Sequence, residues 1–126
     1  MKEKLTQLLQ GNTVKLHPSQ DKICVPVVER IYRKMKLNLL FSAISVADGL
    51  IIEGHHRYVA SLLSDYDLDQ VPGVKSSAKI PHEWKSVELV EEDWDTPAKI
   101  DFLNEQDAKY NGLSLDDLIG KMAELS

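Results

Sequence analysis

Apolar residues recur along this chain with two different periods, and the switches between them divide it into elements. Residues 1–12, MKEKLTQLLQGN, read as a short polar amphipathic helix. HPSQD (17–21) is a loop, with Pro18 and Ser19 as turn-formers. Val28, Ile31, Tyr32 and Met35 then repeat at i, i+3, i+4 and i+7 behind Pro26, the pattern of a helix with one buried face. The dense apolar run LLFSAISV (39–46) predicts a buried strand, Asp48-Gly49 a hairpin turn, and LIIE (50–53) the returning strand. After Gly54 the period changes from two to 3.6, and Val59, Leu62, Leu63 and Tyr66 line one face of a helix. VPGVK (71–75) and SVELV (86–90) read as further strands.

The last third is helical. Thr96-Pro97 supplies an N-cap and a proline at the first helical position, opening a helix to about Lys109 that Asn111-Gly112 stops. Ser114 with Asp117 resembles a capping box, and Leu115, Leu118, Ile119 and Met122 form the final apolar stripe. The pattern predicts an α+β (mixed α/β) fold: helices on both sides of a small mixed sheet, with a two-helix layer packed on that sheet. All of it is expected to be one domain, 1–126, with its core at about 13–90 and a C-terminal helical extension at 96–126.

Composition supports that size. A chain of 126 residues, 43% hydrophobic, carries one real core, and two domains would each be too small. No run approaches the roughly 20 apolar residues that span a bilayer, and the amino terminus lacks the apolar centre of a secretory signal. A cytoplasmic protein without membrane contact is the expectation. The single cysteine, Cys24, excludes an internal disulfide and a cysteine-based zinc cluster.

Charge narrows the partners. Twenty acids against fifteen bases give a formal charge of −5, which disfavours wrapping nucleic acid through its phosphates. The segment ELVEEDWD (88–95) is acidic and ERIYRKMK (29–36) basic. The basic run reads as a solvated helix face, with a phosphate-holding helix beside the active loop as the alternative. Asp93, Asp95 and Asp101 read as helix-start acids rather than a metal cluster, with a docking surface for a basic partner as the alternative reading of this acidic, Trp-bearing region.

The candidate chemistry lies in DGLIIEGHHRYVASLL (48–63), where a strand gives way through Gly54 to a helix that begins with two histidines and an arginine. A helix start leaves about four N–H groups unpaired and carries partial positive charge, so anions bind there. Gly54 permits a sharp turn and a ligand's close approach, so Gly54→Val is expected to abolish binding without unfolding the chain. Arg57 in the first turn opposes the helix dipole unless an anion sits beside it, where its guanidinium grips phosphate oxygens. His55 and His56 are candidate hydrogen-bond donors or proton shuttles near neutral pH. Glu53 is a candidate Mg²⁺ holder or general base, whereas Asp48 belongs to the turn. Tyr58 reads as an apolar-face aromatic, and His17 and His82 as loop residues.

This stretch resembles the signature of the ParB/sulfiredoxin superfamily, in which a hairpin strand leads into a Gly-x-x-Arg or Gly-x-His-Arg loop and then a helix. HPSQ, the helix after it, FSAISV, Asp-Gly and the later LDQVPGVK follow the same order, so the resemblance covers about residues 13–78. It implies a loop that grips nucleotide phosphates. ParB-type partition proteins bind and hydrolyse CTP, sulfiredoxins use ATP, and related free-serine kinases transfer a phosphoryl group. Gly54 and Arg57 fall on the motif's fixed pair and His56 on the sulfiredoxin histidine. Ser19 and Gln20 fall in the loop that contacts base or ribose. The sulfiredoxin cysteine falls on His55, the arginine-rich ParB loop and its second nucleotide motif are absent, and no helix-turn-helix follows, so neither the partition nor the sulfiredoxin activity is expected to transfer.

Three functions follow as expectations. The first is a nucleotide- or phosphate-binding protein, a hydrolase or phosphotransferase, taking ATP or CTP or a phosphorylated small molecule with Mg²⁺. There Gly54, His55, His56, Arg57, Ser19 and Gln20 bind, and His55, His56, Arg57 and Glu53 carry the chemistry. The second is a ParB-like nuclease on DNA or RNA. The third is a non-enzymatic immunity- or antitoxin-type binding module.

Overall fold

The computed structural model describes residues 1–125. It orders them as α1 (Lys2–Gln10), β1 (Lys22–Cys24), α2 (Val25–Lys36), β2 (Ile44–Ala47), β3 (Leu50–Glu53), α3 (His55–Ser64), β4 (Gln70–Pro72), β5 (Glu88–Val90), α4 (Pro97–Tyr110) and α5 (Leu115–Glu124). A 3-10 turn, Trp84–Ser86, precedes β5. The architecture is α+β, with one small mixed sheet and one parallel strand pair.

The hairpin sets the geometry. Asp48 and Gly49 take φ of 52° and 75°, the two positive values that a tight two-residue turn needs, and they fold β2 antiparallel onto β3. A register shift at Ser45/Val46 bends this pair. β4 joins the other edge of β2 in parallel, giving the order β3-β2-β4. Along the free edge of β3 runs the segment around His17, which exchanges backbone hydrogen bonds with Gly49 and Ile51. β1 and β5 pair in parallel in a separate two-stranded ladder.

The main core lies where the strands meet α2 and α3, with Ile23, Val28, Ile44, Ile51 and Val59 fully shielded. Leu5 and Leu9 of α1 and the Trp84 ring join the same cluster. Two details depart from the sequence pattern. The run 39–46 is a strand only from Ile44; Leu40 in its first half is 62% exposed. In α3 the buried face includes His55, Tyr58, Val59 and Ser61, while Leu62 is 40% exposed. His55 and Ser61 are interior because each has a polar partner, which an apolar tally does not count.

The C-terminal hairpin forms as its caps require: the Thr96 hydroxyl accepts from the Lys99 N–H at 3.2 Å and the Ser114 hydroxyl from the Asp117 N–H at 3.1 Å. Its docking differs from the expectation. It rests on α2 and the 37–41 segment rather than on the sheet, with a small second core of Leu39, Ala108 and Leu118. The basic run of α2 is therefore no solvated face. Arg30 lies 2.6 Å from Asp93 and 2.8 Å from Asp95, and Lys34, only 4% exposed, lies 2.6 Å from Asp107. Arg33 donates to the Met122 carbonyl, and the Asn111 side chain bonds both main-chain groups of Leu40. Ion pairs thus join α2 to α4 through Lys34 and to the segment before α4 through Arg30.

Removing one partner of a buried ion pair strands the other charge, whereas replacing both can be nearly neutral. Asp107→Ala is expected to lower unfolding free energy by about 3 kcal/mol. Lys34→Met combined with Asp107→Leu is expected to recover most of the loss. Urea midpoints of the single and double variants check this.

Candidate functional site

The start of α3 is fixed by Gly54, whose φ of 100° lets β3 turn directly into the helix. A Cβ at this position would lie 2.9 Å from both Ile44 Cβ and Arg57 Nη2, and nearer still to Ile44 Cγ2. Gly54 is thus required by the strand packed behind it rather than by a ligand in front. The expectation that Gly54→Val leaves the fold intact is corrected: the substitution drives a side chain into the core, and lost binding would report lost structure.

Both histidines turn inward and tie the helix to other segments. His55 Nε2 accepts the Ser19 N–H at 2.9 Å, and the Ser19 hydroxyl, 3.3 Å from the same nitrogen, donates to the Ile51 carbonyl. His56 Nε2 accepts the Cys24 N–H at 3.0 Å, at the junction of β1 and α2, and its ring meets the Trp94 ring edge-on at 5.3 Å. An imidazole that accepts at Nε2 is neutral and carries its proton on Nδ1. Burial, the largest influence, pushes both rings down to about 4 from the usual 6.5. The Lys79 ammonium and the neighbouring His56, which would repel a second protonated ring, add to this at His55, and Asp95 opposes it at His56. At neutral pH the doubled histidine is structural: a pair of acceptors for otherwise orphaned main-chain donors.

What faces outward is the charge. A cleft of about 340 Å³ is lined by Gln20, Glu53, Gly54, His55, His56, Arg57 and Lys79, together with Ile52. The first backbone bond of α3 runs from the Tyr58 N–H to the Gly54 carbonyl, so the His55, His56 and Arg57 N–H groups lack an acceptor within the helix. Arg57 donates to the Ser42 hydroxyl at 2.6 Å. Neither Arg57 nor Lys79 has a carboxylate partner among the described residues. Glu53 is the sole carboxylate in this lining. Among the described residues no three His, Cys, Asp or Glu side chains gather as a metal site. Glu53 can instead share a Mg²⁺ with a ligand's phosphates, since that ion takes one or two carboxylates and completes its shell with phosphate and water oxygens.

The residues singled out in the sequence thus separate by role. Gly54, His55, His56, Arg57, Glu53 and Gln20 converge on one cleft. Ser19 does not line it, being turned back onto β3 and His55. Gln20 donates to the Lys22 carbonyl from the cleft's edge. Lys79 in the cleft, Ser42 on Arg57 and Trp94 on His56 were not legible in the sequence: Lys79 and Trp94 come from segments without a regular pattern, and Ser42 from a run read as a buried strand. Tyr58 packs inside, stacked on Trp84, with its hydroxyl accepting from the Leu16 N–H at 3.3 Å. Asp93 and Asp95 serve Arg30, which holds the Asp93 carboxyl below the usual carboxylate range.

The histidine pKa values give stability a pH dependence of definite sign. The unfolded chain takes up protons near 6.5 that the folded chain refuses until about 4, so stability is complete above 6.5 and lost as pH falls through that window. A loss of about 1–2 kcal/mol per ring is expected by pH 5. Urea unfolding at pH 7.5 and 5.0 measures it. His55→Gln, which keeps an acceptor but does not titrate, is expected to flatten the slope; identical midpoints at both pH values would contradict the buried neutral rings.

Comparison of the chain with protein-family models, with curated proteins and with solved structures finds no match.

Proposed function

We propose that this chain is a ParB/sulfiredoxin-like nucleotide-binding protein whose α3 start seats the phosphate groups. The observation that carries this reading is the cleft at Gly54–Arg57. A helix start whose first three N–H groups have no acceptor within the helix lines one space together with a guanidinium and an ammonium that lack a carboxylate partner among the described residues, in a protein whose overall charge is −5. Local positive charge of that density, against the protein's own net charge, is a feature for an anionic ligand rather than for stability. Arg57 is the clamp, presenting fixed donors to phosphate oxygens. Lys79 is a second cation from a flanking loop.

The chemistry beyond binding falls to Glu53. It stands beside the cleft as the general base for a hydrolytic water or as the carboxylate that shares a Mg²⁺ with the phosphates. The two histidines act as positioning groups, since their Nε2 atoms are engaged with main-chain N–H groups. A nuclease that relies on a histidine base is for that reason the weaker reading. An immunity-type role resting on the acidic segment weighs less too, because Asp93 and Asp95 are turned onto Arg30. Among the described residues no helix is long and apolar enough to cross a membrane.

Calorimetric titration with inorganic triphosphate, ATP and CTP, with and without Mg²⁺, tests the assignment. Saturable binding is expected, weakened about 10- to 100-fold by Arg57→Ala, the range for losing charge-assisted hydrogen bonds. Absence of binding, or an Arg57→Ala protein that binds as the parent does, would overturn it.

A further inference from the structure

From the groove between α2 and α4 we infer a binding site for a small aromatic carboxylic acid, its ring against the apolar wall and its carboxylate at Arg57 and Ser42. The site goes beyond the phosphate seat and does not depend on it.

The groove encloses about 590 Å³, within the range of roughly 300–1,000 Å³ typical of small-molecule sites. Val27 and Ile31 of α2, Phe41 of the segment after it, and Ile100 and Leu103 of α4 line it, and all five remain partly exposed. Leu40 and Tyr110, 62% and 60% exposed, carry the same apolar lining out to the surface. Half-covered apolar side chains gathered in a concave space are what an apolar ligand covers on binding. Phe41 and Tyr110 add aromatic faces and edges, against which a flat ring gains more than an aliphatic chain of equal area.

The charges along the groove specify the other end of the ligand. Four cations line it, Arg30, Lys34, Arg57 and Lys109, against two carboxylates, Asp95 and Asp107. Ion-pair clasps take up both carboxylates, Asp95 with Arg30 and Asp107 with Lys34. Arg57 and Lys109 are left without a carboxylate partner among the described residues. Lys109 stands in the last turn of α4, where a cation also suits the helix dipole. Arg57 stands in the first turn of α3, where it does not, and its Nη1 donates to the neutral Ser42 hydroxyl at 2.6 Å. Ser42 lines the groove and not the phosphate cleft, so this side of the guanidinium belongs to the groove. A hydroxyl that accepts from Arg57 keeps its own hydrogen to donate. Two donors therefore stand together at the border of an apolar wall, the arrangement that suits a carboxylate on an apolar body. A neutral ligand would leave the guanidinium without a counter-charge, and a bare polyanion would leave the wall uncovered.

Naphthoate is the probe, with its neutral amide and acetate as controls for the charge and for the ring. Calorimetry at neutral pH is expected to show saturable naphthoate binding, about 10-fold tighter than naphthamide, and no measurable heat from acetate. Arg57→Gln is expected to abolish the preference for the acid over the amide. Leu103→Trp, which fills the groove, and Tyr110→Ala, which removes part of its apolar lining, are each expected to weaken naphthoate binding about 10-fold. Tyr110 is 60% exposed, so its variant keeps the parent melting temperature and stands as the readout if Leu103→Trp unfolds the chain. Naphthoate that fails to saturate, or an amide that binds as tightly as the acid, would overturn the site. Naphthoate affinity untouched by Tyr110→Ala and by a folded Leu103→Trp would place the acid outside the groove and overturn it equally. None of these outcomes depends on triphosphate binding, so the phosphate seat is tested apart from it.

Discussion

Two imidazole nitrogens, each accepting a main-chain N–H from a distant segment, hold the start of α3 in place. His55 draws in the Ser19 loop and His56 the junction of β1 and α2, so three stretches of chain meet at the first turn of α3. Neither bond survives protonation of its ring, which is why burial and a low pKa belong to the same arrangement. The consequence is directional. With both rings accepting main-chain N–H groups, the first turn of α3 lines the cleft together with Arg57. Gly54 completes the constraint, because only a residue without a Cβ clears Ile44 at that bend.

A second level of organisation surrounds this turn. The α4–α5 hairpin is attached to α2 by ion pairs and a few polar contacts, with a small apolar cluster at one end. Paired charges fix geometry without requiring close packing, so they can keep two helices apart where Leu and Ile contacts would draw them together. The space so preserved ends at Arg57, and the charged residue of the loop thereby belongs to both halves of the molecule. The segment that bears Asp93 and Asp95 also places Trp94 against His56, joining the clasp to the start of α3.

Much of this was legible in the sequence, and the limits were physical. Asp48-Gly49, Pro26, Thr96-Pro97 and Ser114 announced their turns and caps because those functions depend on local chemistry alone. The turn from β3 through Gly54 into α3 was legible for the same reason. The direction of the histidines was not: a helix start permits a ring to face outward as a catalyst or inward as an acceptor, and tertiary partners at Ser19 and Cys24 decide. The basic run 29–36 misled because its solvated and ion-paired forms look identical in sequence. Three-residue strands such as β1 fell below the length at which alternation is detectable. Lys79 enters the site from a loop whose path no local rule prescribes.

The phosphate seat stands or falls on a titration of the ¹⁵N-labelled protein with inorganic triphosphate, followed through its backbone amide resonances at neutral pH. Saturable shifts concentrated at His55, His56 and Arg57 are expected, since an anion accepting those N–H groups perturbs them before any other amides. Shifts that never saturate, or that scatter over surface lysines while those three amides stay fixed, would contradict the seat.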